Sequence, residues 1–311
     1  MASPTEISNL TQQWMDSLER WHLDFFLIPT TVITLATMIV NPVLLACIFL
    51  SRALRQETRY LLVANTLTAD LVFLIINLIT VICNTLRVPI PWLACELVTA
   101  STVTTHTCTI LTITFMVVDT FAAVRWPLHY HSILPPTRTQ CILLGVWVVA
   151  ALYPFSLVIM MEMDKKNPHE EVPLCLALLS LGFIQAKNIM LVNIYFFVAA
   201  FTCTLLIFYC YIRLYMVTRT QGIWQNPLSR ARVTLRAHGL LLLLYFAPGI
   251  VFTVELSVFQ KTDINEDVRV WISTVNMCFF MMLPRAFAPY LYGLRSFIWK
   301  LLFKVNVTFR A

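Results

Sequence analysis

The chain has 311 residues, of which 59% are hydrophobic and only 12% charged, against a soluble average of about 25% charged. Its net charge of +6 is no sign of nucleic-acid binding, because the basic residues segregate by loop. The apolar runs use most of the length, which leaves no room for a soluble catalytic domain and implies one all-α membrane domain.

Residues 1–24 form a polar, acidic tail without the basic start and short apolar core of a signal peptide, so the first apolar helix is expected to direct its own insertion. Asn9-Leu10-Thr11 fits an N-glycosylation sequon, with chance occurrence as the alternative. Seven apolar runs follow, at Phe25–Leu50, Tyr60–Cys83, Thr99–Val124, Cys141–Met161, Ile189–Tyr215, Leu235–Phe259 and Val270–Tyr292. A membrane-spanning helix needs about 20 mostly apolar residues. In hydrocarbon the backbone must satisfy its own polar groups, so the runs are read as helices and residues 25–292 as one seven-helix bundle.

Arg52, Arg55, Arg59, Arg125, Arg138, Arg213, Arg219, Arg230, Arg232, Arg236, Arg295, Lys300, Lys304 and Arg310 all fall on one side of such a bundle. The positive-inside rule makes that side cytoplasmic, with the N-terminus outside and the C-terminus inside. The second outer loop, Glu162–Asn188, and the third inner loop, Met216–Arg232, are the longest and neither is long enough to fold separately. Residues 293–311 are read as a cytoplasmic tail in which Leu294–Val305 mixes Phe297, Trp299 and Phe303 with basic residues. That pattern suits an amphipathic helix on the inner membrane surface, a frayed basic tail being the alternative. Asn306-Val307-Thr308 lies on this side and is a chance sequon.

Most of the nine cysteines sit within apolar runs, where a thiol behaves as a small hydrophobe. Cys95 and Cys175 lie outside, where an oxidising exterior favours a disulfide over two free thiols. There is no CxxC pair and no zinc-type spacing, so no metal and no cofactor are expected. The absence of HExxH, of a Ser/His/Asp set on facing helices and of paired acids at either mouth argues against an enzyme. A transporter is expected to carry two related halves, which are not visible.

Several residues in order resemble the rhodopsin family of G-protein-coupled receptors. They are Asn41, the run Asn65–Leu71 with Asp70, Trp92 followed by Cys95, the stretch Asp119–Tyr130, Trp147, Pro248 and Pro289–Tyr292. From Cys95 to Asp119 is 24 steps, about 36 Å of helix, which sets the two at opposite membrane faces. Further segments, Leu54–Tyr60, Gly222–Trp224, Ser229–Arg232 and Met282–Ala286, narrow the resemblance toward odorant-type receptors within that family. The resemblance implies a plasma-membrane receptor that passes an extracellular or membrane-borne signal to a heterotrimeric G protein or arrestin. It also implies the Cys95–Cys175 disulfide and a ligand pocket walled by Thr102, Val103, His106, Tyr195, Phe246, Ile250, Thr253, Cys278 and Met282. The coupling residues would be Asp119, Thr120, Phe121, Tyr211 and Tyr292.

The chain departs from that family in telling places. Thr120 stands where an arginine usually engages the G protein, and Leu228 where many relatives have its acidic partner, so coupling is expected to be weak. A non-signalling partner or chaperone of other membrane proteins is the alternative. Phe246, Cys203 and Ala288 replace the usual tryptophan, proline and polar residue. Thr102 stands where amine receptors carry an aspartate, so a cationic amine would lack its partner and a small apolar or lipid-like ligand is favoured. His106 is either a hydrogen-bonding anchor for ligand or a neutral histidine satisfied in the bundle, and His238 is read as structural. Asp70 and Arg285, with Asn41 and Thr109 nearby, are read as an intramembrane site. There a bidentate guanidinium replaces the sodium ion that many relatives bind; Arg285 snorkelling to the inner interface is the alternative.

Overall fold

The computed structural model describes residues 20–86, 88, 90–164, 171–172, 175, 186–220, 239–241, 243–251, 254, 275–276 and 281–293. The helices are α1 (Arg20–Leu50), α2 (Arg52–Arg55), α3 (Thr58–Thr85), α4 (Trp92–Arg125), α5 (Tyr130–Ile133), α6 (Pro136–Asp164), α7 (Ala186–Thr220) and α8 (Leu283–Gly293). Residues 239–241 and 243–251 are also helical. Two short strands, β1 (Ile90–Pro91) and β2 (Glu171–Val172), pair antiparallel with Ile90 opposite Val172.

Among the described residues four helical segments are long and apolar enough to cross a bilayer: Thr31–Leu50, Thr58–Asn84, Trp92–Arg125 and Pro136–Met160. Phe197–Arg213 within α7 and Gly239–Val251 are shorter apolar helices. The helices overrun the apolar stretches read from sequence, because the backbone continues its hydrogen-bond ladder past the hydrocarbon-like residues into polar flanks. The sequon at Asn9, the tail 1–24 but for its last residues, and the amphipathic segment 294–305 lie outside the described residues. So do Thr253, Cys278, Leu228 and His238.

α4 is the centre of the bundle. Its apolar window is 67% buried, against 33%, 33% and 22% for the other three spans. It packs against α3, α6 and α7, while α1 packs on α3 and α8. A largely buried helix cannot leave its inward hydroxyls unpaired, and α4 is rich in threonine. Thr104, Thr112, Thr114 and Thr120 each donate to the carbonyl one turn back, on Ala100, Cys108, Ile110 and Met116. Ile113, Met116, Leu62, Tyr245 and Phe246 belong to the largest buried cluster among the described residues. Across α3, α4 and α6, Trp147 Nε1 donates to Asn65 Oδ1 at 2.9 Å, and Asn65 Nδ2 donates to Thr112 Oγ1 at 2.9 Å.

One end of α4 is closed by the strand pair and by the Cys95–Cys175 disulfide, whose Cα atoms are 5.5 Å apart. Asn84 in α3 completes that end. Its Nδ2 donates to the Cys175 carbonyl and its Oδ1 accepts from the Cys175 amide, both at 2.9 Å.

Candidate functional site: a guanidinium sealed between helices

Arg285 lies in the first turn of α8 and is wholly buried, as is Asp70 in α3. Its Nε stands 3.5 Å from Asp70 Oδ1. One terminal nitrogen donates to the Met281 carbonyl one turn back, and the other lies 3.0 Å from His106 Nδ1 in α4. The guanidinium carbon sits 3.4 Å from the centroid of the Phe73 ring and 5.5 Å from that of Tyr245. Such a face-on cation gains from the ring's negative face, most strongly where water is excluded.

Asp70 is held from three sides. Tyr245 donates its hydroxyl to Oδ2 at 2.8 Å, and Thr109 donates to Oδ1 at 3.3 Å, beside Arg285. Four elements therefore meet at one carboxylate: α3, α4, α8 and the helical stretch 243–251. A guanidinium has no acceptor, so His106 Nδ1 must accept, which leaves the imidazole neutral with its proton on Nε2. Nε2 is buried.

The pairing is not the bidentate fork expected. Tyr245 occupies the second carboxylate oxygen, and the terminal nitrogens are drawn to Met281 and His106, so only Nε faces Asp70. Nor does Arg285 snorkel, since no part of it reaches the surface. Asn41 in α1 is also fully buried, and among the described residues neither of its amide atoms has a hydrogen-bond partner.

The expected pocket residues differ in burial. Thr102, Val103 and His106 follow one face of α4 and are half-buried, and the Thr102 hydroxyl is engaged with the Val98 carbonyl. Phe246 is buried in the cluster around α4, and Met282 is buried against Phe73 and Leu74. Ile250 is 55% exposed, one turn past buried Phe246. Tyr195 in α7 stacks on Tyr153 in α6, with ring centroids 4.0 Å apart and planes 9° from parallel.

At the other end of α4, Asp119 is buried, and the Thr120 hydroxyl donates to the Met116 carbonyl at 2.8 Å. Phe121 lies edge-on to Trp126 and Tyr209, and Tyr211 packs in the same cluster. The side chain of Tyr292 lies outside the described residues. Tyr130 donates to Asp119 Oδ1 at 2.6 Å, and burial together with that carboxylate pushes the Tyr130 hydroxyl above its ordinary pKa.

Sequence reasoning did not single out Phe73, Tyr245, Asn84, Arg59 or Tyr153. Phe73 carried a signal, since it follows Asp70 by three residues and therefore shares its face. Tyr245 had a weaker one, a hydroxyl one position before Phe246 in an otherwise apolar run.

Long apolar helices around one central helix, a disulfide-held strand pair at one end and a buried ion pair between them define a multi-pass helical membrane protein. The chain belongs to the 7-transmembrane receptor (rhodopsin) family, whose model matches residues 40–292. It is 31% identical over 275 residues to "Probable G-protein coupled receptor 148" of Homo sapiens, covering 88% of this chain and 79% of that protein. It is 27% identical over 201 residues to "5-hydroxytryptamine receptor 1B" of Canis lupus familiaris, covering 63% of this chain and 48% of that one. It is a receptor of the signalling class.

Proposed function

We propose that this receptor answers a small, uncharged, apolar or lipid-like ligand arriving from outside or from the bilayer, and signals weakly to a heterotrimeric G protein at the plasma membrane. The observation that carries this reading is the sealed Asp70–Arg285 pair, 3.5 Å apart with neither residue exposed. Each charge neutralises the other, so neither is left for a charged ligand. Thr102, where an amine would need an acid, has its hydroxyl bound to its own helix. An amine relative among the matches therefore does not extend to this chain's ligand. The same pair gives the bundle a fixed cation beside Asp70 in place of a mobile sodium ion. With Nδ1 engaged, His106 offers a ligand only an N–H, which favours a ligand oxygen that accepts.

The test is thermal unfolding of the receptor in nanodiscs with two probes of equal chain length, a monoacylglycerol and a primary alkylamine. The neutral probe is expected to raise Tm and the amine not to; stabilisation by the amine alone would overturn the reading.

A second reading, a non-signalling partner or chaperone for other membrane proteins, is favoured by Thr120, whose hydroxyl is turned back into its own helix. Basal signalling through the G-protein classes and arrestin, measured in cells at matched surface expression, separates the two. An odorant-type chemoreceptor would share the ligand chemistry of the first reading.

A further inference from the structure

Asp119, near the end of α4, is 1% exposed, yet its neighbour at position 120 supplies no cation. Two other elements hold the carboxylate. Tyr130, the first residue of α5, donates to Oδ1 at 2.6 Å, and Arg59, the second residue of α3, places Nε 3.8 Å from Oδ2. Arg59 does α3 itself no good. A helix N-terminus carries partial positive charge, which disfavours a cation in the first turn. Asp119 supplies the compensating interaction from outside the helix. Glu57, just before α3, also acts on Asp119, and its repulsion makes a nearby cation more valuable.

What Asp119 holds is the loop. The Tyr130 ring is buried against Ala122 and Leu134, and Thr58 beside Arg59 donates to the Leu134 carbonyl at 3.1 Å. α5 is thereby clamped between α3 and α4. Leu128, two residues before α5, is left 93% exposed.

We propose that Arg59 is the positioning residue for the second inner loop, residues 126–134. Its guanidinium steadies the Asp119 carboxylate, the carboxylate fixes Tyr130, and Tyr130 sets α5 and the direction in which Leu128 meets a cytoplasmic partner. The arginine missing from position 120 is thus replaced, as a partner of Asp119, from a different helix. This does not depend on the ligand reading above. Arg59 is 61% exposed, so the contact is open to salt and can be reset at the surface.

Amide hydrogen exchange of residues 126–134 in nanodisc-held receptor tests it. Arg59→Ala should speed exchange there by up to about fivefold, the reach of an exposed ion pair, while Arg59→Lys keeps most of the protection. Raising salt should bring the wild type toward Arg59→Ala and leave Arg59→Ala unmoved. In a Tyr130→Phe background, Arg59→Ala should add little, because both act through one carboxylate. Unchanged exchange in Arg59→Ala, failure of lysine to rescue, or fully additive effects of the two substitutions would each overturn the proposal.

Discussion

Arg285 sits over the Phe73 ring, its guanidinium carbon 3.4 Å from the centroid, with both residues fully buried. An arginine on α8 is thereby fixed to the same helix face that carries Asp70. The ring supplies what a single Nε–carboxylate contact does not, an aromatic face beneath the cation. Phe73→Leu keeps the bulk and removes the π face, so it should cost about 2 kcal/mol of stability, the value for a desolvated cation–π contact. Phe73→Tyr should cost less than Phe73→Leu. Thermal unfolding in nanodiscs reads the difference, and equal loss in the two variants would assign Phe73 to packing alone.

Tyr245 caps the second oxygen of Asp70 from the helical stretch 243–251. Removing the hydroxyl leaves a buried carboxylate oxygen without its donor. Tyr245→Phe should therefore destabilise by about 1.5–3 kcal/mol, the range for a hydrogen bond to a charged group. Chemical or thermal unfolding of wild type and variant at one pH checks it, and a loss under about 0.5 kcal/mol would contradict it.

Asn84 holds the backbone of Cys175 through both its amide atoms. Asn84→Ala should loosen the strand pair at that end and cost about 1–3 kcal/mol, two ordinary hydrogen bonds. The disulfide should still form, which non-reducing mass spectrometry can confirm. Asn84→Asp keeps the acceptor for the Cys175 amide and loses the donor to its carbonyl, so its cost should fall between wild type and alanine.

Asp70, Arg285 and the Cys95–Cys175 pair were legible in the sequence because buried charge and outward cysteine are rare against an apolar background. The geometry around them was not. Whether Arg285 meets both carboxylate oxygens depends on a competing hydroxyl from Tyr245, more than 170 residues from Asp70 in sequence. Such competition between distant helices leaves no periodic signal. The strand pair was missed because two residues on each side carry no alternation. Asn84 and Arg59 looked like ordinary helix-end polar residues, and only packing reveals their partners.

Thr120 offers a single hydroxyl, already bonded to Met116, where an arginine would present five donors. Thr120→Arg should raise maximal signalling at matched surface expression, with the largest gain in cells supplied with the preferred G protein. No gain in any G-protein class would favour the non-signalling reading.

The account centres on Asp70 and Arg285 acting as one neutral unit, and a double-mutant cycle measures that directly. Breaking a buried pair from one side strands a charge, at a typical cost of about 3–5 kcal/mol. Asp70→Ala and Arg285→Ala should each lose about that much stability in nanodiscs, and the double variant should recover part of the loss. Sodium should leave the unfolding of the wild type unchanged. Additive losses in the double variant, with a sodium-dependent stabilisation that Asp70→Asn abolishes, would contradict the pairing.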